Sequence, residues 1–353
     1  MAWTAGGAGA WRTAIRCIGL NLVALGIVLS AGEVLARALP EGPVRESHRM
    51  YEPGRTFRYT DLRPGPGGIP EFDNEITLNR YGFHGPDHPP GRPDGVSRIL
   101  VIGDSMVEGF QVPRAEGLGA RMEELLPGIQ VMTFGMSGHG TMKHGRILGR
   151  IADALPGEAG ARPPEIIVFV IHGPYAVRQA LVDFVRAPAL WRRGLRWVLF
   201  HDPGRLRILR RVRDSLLIRL QVPTDDLLAE ARRAFEPGYR SEDLDRAWDL
   251  LGGAMEAQVR EARALGALPV FAYLPEPGEM GEGSRFRDPS AVARRFETAA
   301  KETGAVWVDL TEGMKAGNAG GGLYFTRDQH MTPGGHRWAA RLLAERLAPL
   351  LGR

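Results

Sequence analysis

Two segments far apart in this chain could together perform nucleophilic chemistry. One is Gly103-Asp104-Ser105, which ends the apolar run Ile99-Leu100-Val101-Ile102; the other is Asp328-Gln329-His330, near the C-terminus. A serine hydroxyl becomes a useful nucleophile when a base within hydrogen-bond reach takes its proton and a third group orients that base. Asp328 and His330 put a carboxylate and an imidazole two residues apart, so one short loop can carry both base and orienter. The intermediate of such a reaction also needs N–H donors around its oxyanion.

These residues are useful only if the fold brings them together. A short apolar run that stops at a glycine reads as a buried parallel strand. It delivers Ser105 to the carboxyl edge of a sheet, where open α/β folds bind ligands. From residue 98 onward, strand and helix patterns alternate. Strands are expected at 98–102, 129–134, 165–171, 268–273 and 305–310, and helices at 114–126, 141–154, 241–265, 289–303 and 334–351. The 241–265 helix carries Leu244, Trp248, Leu251, Met255 and Val259 at 3–4 spacing on one face. Such alternation implies a parallel sheet covered on both faces. The Asp328–His330 loop then lies between the last strand and the last helix, at the same sheet edge as Ser105.

Three segments stand outside this rhythm. Within residues 1–39, Cys17–Gly32 carries no charge, with Arg12 and Arg16 before it and Glu33 and Arg37 after it. It reaches spanning length if Arg16 and Glu33 sit at the interfaces. We read it as an uncleaved anchor with the body outside the cytoplasm. A signal peptide cleaved near Ala36-Arg37-Ala38 is the main alternative, and a buried soluble helix is the third. The flanking arginines do not settle orientation. Residues 40–97 are rich in Pro and Gly and read as an extended lead-in, with a short strand or hairpin arm at Glu75–Phe83. The 98–353 domain is interrupted at about 176–240, where eight arginines stand against Asp202 alone within 192–213. This insertion reads as basic amphipathic helices. They could form a lid or meet an anionic membrane surface, or simply present a solvated arginine face.

Composition narrows the function classes. The 353 residues, 44% hydrophobic and 24% charged, suffice for one large domain with additions. A formal net charge of +4 is too mild to argue for nucleic acid, and no nucleic-acid motif appears. Cys17 is the single cysteine, which excludes an intrachain disulfide and a cysteine-based zinc site; it reads as a plain juxtamembrane residue. None of the nine histidines falls in a His-Glu-x-x-His pattern, and no Gly-rich phosphate loop is present. No metal and no organic cofactor is expected.

Over roughly residues 98–350 the chain resembles the SGNH (GDSL) hydrolase family. Its nearest likeness is to the membrane-anchored bacterial branch, whose lead-in is similar to residues 75–83. The first block matches Gly103-Asp104-Ser105-Met-Val-Glu-Gly109. The resemblance implies Ser105 as nucleophile, with its own N–H as one oxyanion donor. The second block is similar to Thr133-Phe-Gly-Met-Ser137-Gly138-His139-Gly140 and points to the Gly138 N–H as another, although Thr133 stands where the family usually has Asn. The last block matches Asp328 and His330. The implied architecture is a flavodoxin-like three-layer α/β/α sandwich with a mostly parallel five-stranded sheet, here joined to an N-terminal transmembrane helix.

The third block departs from the pattern. The family has Gly-x-Asn-Asp, with the Asn amide as a third oxyanion donor; here the run is His172-Gly173-Pro174-Tyr175, with Pro174 at the Asn position. Proline has neither a side-chain donor nor an N–H. Losing one such donor costs on the order of 10²–10³ in rate. His172, Tyr175 and His139 are the candidate substitutes, each with a structural alternative as a polar cap or loop residue. The same weighing applies to the other residues. Ser105 could be only a helix N-cap, His330 a loop histidine, Asp328 a solvated loop carboxylate and Gly138 a turn glycine. Asp104 reads as loop support, His336 as structural and Glu108 as a surface carboxylate.

Two functions follow as expectations. The first is a membrane-anchored serine esterase or O-acyltransferase with an extracytoplasmic, periplasmic site. Its substrate would be an ester-bearing small molecule, acetylated envelope glycan or lipid. The second is a catalytically weakened accessory or scaffold subunit of a membrane assembly, with protein partners.

Overall fold

The computed structural model describes residues 51–61, 64–91, 93–154, 163–182, 225–280 and 286–352. The strands are β1 (Thr56–Thr60), β2 (Asp73–Thr77), β3 (Ser97–Gly103), β4 (Ile129–Gly135), β5 (Ile166–His172), β6 (Leu268–Leu274) and β7 (Val306–Asp309). The helices are α1 (Ser105–Glu108), α2 (Leu118–Leu125), α3 (His144–Ala154), α4 (Gly173–Ala180), α5 (Asp225–Arg233), α6 (Glu242–Ala264), α7 (Pro277–Met280), α8 (Ala291–Thr303), α9 (Thr311–Gly317) and α10 (Pro333–Leu347). Short 3₁₀ turns at Arg114–Glu116 and Thr141–Lys143 precede α2 and α3, where single long helices were expected. Gly117 separates the first of these turns from α2. Helix α9 was not foreseen.

Strands β3 to β7 form one parallel sheet in the order β4-β3-β5-β6-β7, the doubly wound flavodoxin-like order. Strand β3, paired on both sides, shows why the sheet is buried on both faces. Leu100 and Ile102 enter one core with residues of α3, α4, α6 and α8, while Ile99 and Val101 enter a second core with residues of α2 and α10. All four are fully buried, which is what a near-continuous apolar run requires. Helix α6 buries Leu244, Trp248, Leu251, Met255 and Val259, the face that the spacing predicts. Its N-terminus is fixed by Ser241, whose hydroxyl accepts from the Leu244 N–H, and by the acidic residues of its first turn.

The lead-in differs from the expectation. Residues 51–61 and 64–91 are packed, not extended. Strands β1 and β2 pair antiparallel with Phe57 opposite Ile76, so an arm at 75–83 is present as part of a two-stranded sheet. Phe57, Ile76 and Leu78 form a small core with Phe110, which follows α1 directly. Proline content signals missing N–H donors, not missing contacts. Here the carbonyls of Pro89, Pro90 and Gly91 accept from the guanidinium of Arg98, which is 1% exposed. A run poor in N–H and rich in C=O suits a buried cation.

The anchor segment at 1–39 lies outside the described residues, as does most of the basic insertion; α4 and α5 flank the latter. Among the described residues, no helix is long and apolar enough to cross a membrane.

Two glycines test this packing. A Cβ on Gly135 would lie 2.0 Å from the Glu108 backbone nitrogen, so β4 and α1 meet only without a side chain there. Gly149, within α3, has nothing within 4 Å of its own virtual Cβ. Denaturant titration should show Gly135→Ala destabilised by about 1–3 kcal/mol or more. Gly149→Ala should be unchanged or stabilised by up to about 1 kcal/mol.

Candidate active site

Strand β3 ends at Gly103, and the chain turns directly into the four-residue helix α1. Asp104 is its N-cap: the carboxylate accepts from the Met106 N–H at 2.9 Å, which leaves Ser105 as the first helical residue. Gly109 closes α1 in the left-handed region at φ +63°. The hydroxyl is thereby presented at the carboxyl edge of β3.

Helix α10 starts with Thr332 as N-cap and Pro333 in its first turn, and it carries the His330 loop against the same edge. That loop is closed by hydrogen bonds from Phe325 N–H to His330 O at 2.9 Å and from Gln329 N–H to Phe325 O at 3.0 Å. His330 Nε2 lies 2.8 Å from Ser105 Oγ, and His330 Nδ1 lies 2.6 Å from Asp328 Oδ1. The structure thus joins Ser105, His330 and Asp328 in one hydrogen-bonded chain. Such a chain can move a proton from the hydroxyl to the imidazole, while the carboxylate fixes the tautomer with a proton on Nδ1.

Gly138 sits in the loop after β4 at φ +74°, with open space where a side chain would stand. Among the described residues, no intraprotein acceptor takes its N–H or that of Ser105. The loop is held from two sides. Buried Glu108 accepts from the Ser137 N–H at 3.1 Å, from the Ser137 hydroxyl, and from Tyr51 Oη at 2.5 Å. Gln179 of α4 donates to the Gly138 carbonyl at 2.5 Å and accepts from the Gly140 N–H at 2.8 Å.

The candidate substitute donors are placed differently. His172, at the end of β5, has Nδ1 3.0 Å from Asp104 Oδ2, while its buried Nε2 has no hydrogen-bond partner and lies 3.8 Å from Glu276 Oε1. Tyr175 stacks on the His172 ring and receives a hydrogen bond from Gln179. His139 Nδ1 turns back to the Ser137 carbonyl at 3.1 Å. Pro174 is buried in the first turn of α4. Asp104 does support the Ser105 turn, but through His172 as well as its own helix. His336 is buried behind Gly109, whose virtual Cβ would lie 3.0 Å from the His336 ring.

Glu108 corrects the sequence reading. It is not a surface carboxylate but is 3% exposed. Burial pushes its carboxyl up to about 7, although hydrogen bonds from Ser137 and Tyr51 pull the other way. Its spacing offered a faint signal, since Ser105 and Glu108 are i and i+3, neighbours on one helix face. Gln179 sits one turn after Tyr175 and was equally overlooked. The other buried groups divide by partner. Burial lowers His84 to about 4, His144 to about 4 and His336 to about 3, so all three are neutral at pH 7. For His172 burial also acts to lower it, but the Asp104 carboxylate outweighs that and raises it.

Comparison with known proteins gives a partial match. Residues 274–352 match the model of the ALGX family, the SGNH hydrolase-like domain of the acetyltransferase AlgX. No curated protein matches the chain. Among solved structures, a member of the lipolytic G-D-S-L family from Veillonella parvula is 14% identical, covers 71% of this chain and 97% of its own, and has a TM-score of 0.41. The esterase EstA from Pseudoalteromonas sp. is 11% identical, covers 73% and 100%, and scores 0.42. A lipase/acylhydrolase from Enterococcus faecalis is 10% identical, covers 71% and 95%, and scores 0.41. The matched segment 274–352 holds Asp328 and His330; Ser105 and Gly138 lie before it.

The buried carboxyls predict a pH dependence of stability. Burial raises Glu279 to about 8, as it raises Glu108 to about 7. A carboxyl raised in the folded state binds its proton more tightly there than in the unfolded chain. Its stabilising contribution is therefore full below the unfolded value near 4.5 and is lost as pH rises through the folded value. The neutral buried His84, His144 and His336 act in the opposite sense below about pH 6.5, so urea unfolding should show stability falling from about pH 6.5 to about pH 8. Glu279→Gln and Glu108→Gln should each flatten that slope, with Glu279→Gln acting furthest into the alkaline range.

Proposed function

We propose that this chain is a serine-dependent carboxyl-ester hydrolase or O-acyltransferase. The observation that carries the reading is the hydrogen-bonded chain Ser105–His330–Asp328, at 2.8 and 2.6 Å, at the carboxyl edge of the sheet. Ser105 Oγ attacks the ester carbonyl carbon while its proton passes to His330 Nε2. Asp328 holds the Nδ1–H and balances the imidazolium. The N–H groups of Ser105 and Gly138 are the proposed donors to the oxyanion. As the intermediate collapses, His330 returns the proton to the departing alkoxide, and the acyl group stays on Ser105. A water or an acceptor hydroxyl then attacks the acyl carbon while its proton passes to His330, and on collapse His330 returns that proton to Ser105 Oγ as the acyl group leaves, which regenerates the serine.

The same geometry weighs against the scaffold reading, since a lapsed site has no need to keep base and hydroxyl in contact. The missing third donor at Pro174 fits a slow catalyst better than an inactive one. With Nδ1 committed to Asp104, only Nε2 of His172 is left to serve as a replacement. Acyl transfer is favoured over simple hydrolysis because the family matched over 274–352 is that of an acetyltransferase. An acetylated envelope glycan or a lipid ester is the substrate class we favour. The uncharged run Cys17–Gly32 supports a single-pass inner-membrane anchor, and placement of the body outside the cytoplasm rests on the resemblance to the membrane-anchored branch.

A fluorophosphonate probe should label the wild-type protein. Ser105→Ala should abolish labelling, and hydrolysis of p-nitrophenyl acetate should fall by a factor on the order of 10⁴ in His330→Ala or Asp328→Asn. Absence of serine-dependent labelling in folded protein would overturn the reading. For localisation, the full chain should remain with membranes after an alkaline carbonate wash, and a variant lacking residues 1–39 should be released.

A further inference from the structure

Glu71 lies in the loop between β1 and β2, far in sequence from the three site residues, and its carboxylate reaches the His330 loop. Oε1 accepts from the Thr326 N–H at 3.0 Å, the Thr326 hydroxyl at 2.7 Å and the Arg327 N–H at 3.2 Å. Oε2 accepts from the Arg327 N–H at 3.1 Å and the Asp328 N–H at 2.9 Å. Three successive N–H groups, the last belonging to Asp328 itself, converge on one side chain. We propose that Glu71 is a positioning residue, which holds the loop so that Asp328 and His330 stay in register with Ser105. This inference rests on the serine-dependent reading above.

The loop needs such a hold. Gln329, between Asp328 and His330, is the single non-glycine with positive φ (+67°) among the described residues. Left-handed backbone is uphill for a side-chain-bearing residue and persists where surrounding contacts fix it. Three consecutive N–H groups without an acceptor would also favour opening of the turn. A single carboxylate at this point removes both problems. Partial burial works against the Glu71 charge, but hydrogen bonds from the Thr326 hydroxyl and the Asp328 and Arg327 amides outweigh it and hold the carboxyl below its usual range.

Neighbouring contacts align Glu71 itself. Its N–H donates to Asp61 Oδ2 at 3.0 Å, and Arg327 Nη2 reaches the same oxygen at 3.2 Å. Phe72 packs on Phe325 with ring centroids 5.5 Å apart, at the start of the same loop. The alternative is a carboxylate that caps a surface loop and adds stability alone. The two differ in where the effect appears. A purely stabilising contact, once lost, shifts global unfolding without slowing the reaction of Ser105 in folded protein.

The test uses the full chain with Glu71→Ala, Glu71→Gln and a control, Asp73→Ala, which removes the Arg58–Asp73 ion pair from the same hairpin without touching the His330 loop. Amide hydrogen exchange of the segment 325–332 should speed up about tenfold or more in Glu71→Ala, less in Glu71→Gln, and stay unchanged in Asp73→Ala. The maximal rate of fluorophosphonate labelling should fall about ten- to a hundredfold in Glu71→Ala, with half-saturation by the probe unchanged. The proposal is overturned if exchange in the segment matches the control. It is equally overturned if exchange rises while labelling keeps the wild-type rate. The exchange measurement needs no activity. If wild-type protein takes no label, the serine-dependent reading fails, and exchange alone decides whether Glu71 holds the loop.

Discussion

The hydrogen bond between Ser105 and His330 is the constraint around which the rest of the molecule is arranged. It joins the end of β3 to the loop before α10, two segments that share no strand pairing. The sheet brings both to one edge but cannot set a separation of 2.8 Å. Finer fixtures do that. Asp104 caps α1, Thr332 caps α10, and Gly135 allows β4 to lie against the backbone of Glu108. Each is a local device, and each bears on the separation of Ser105 Oγ and His330 Nε2 as well as on stability. A hydroxyl and an imidazole that drift apart by an ångström lose much of their advantage.

The sheet and the central triad were legible in the sequence for different reasons. Strands such as Ile99–Ile102 announce themselves because full burial on both faces demands an unbroken apolar run. Ser105, Asp328 and His330 stand out because hydroxyl, carboxylate and imidazole at strand ends have few structural reasons to occur together. Glu71, Glu108 and Gln179 were invisible by the same logic. A lone carboxylate or amide carries no periodicity, and its meaning lies in partners such as Ser137 or Asp328 that only the folded chain supplies. The packing of the lead-in was not legible because proline reports a missing N–H and glycine a freer backbone, whereas the packing depends on Phe57, Ile76 and Leu78, spaced too sparsely to form a clear pattern.

The loop bearing Gly138 is held from two sides. Pro174 itself offers no donor, but its helix supplies Gln179, which grips the Gly138 carbonyl and the Gly140 N–H. From the opposite side Glu108 grips Ser137. Donors that need no reorganisation when charge appears are worth more than mobile ones. A rigid loop with fewer donors can therefore retain part of what an extra amide would provide.

This arrangement has a cost in stability, and it falls near the site. Glu108 is buried with a raised carboxyl, and His84, His144, His172 and His336 each bury a ring nitrogen without a hydrogen-bond partner. An unsatisfied buried polar atom costs about 1–3 kcal/mol, and apolar residues of similar shape would be cheaper. Several of these groups contact the site directly. His84 Nδ1 donates to the Glu108 carbonyl, His172 binds Asp104, and His336 packs behind Gly109. On the proposed serine-dependent reading, His84, His172 and Glu108 set the electrostatic surroundings of the Ser105 turn, and a less stable core accompanies them.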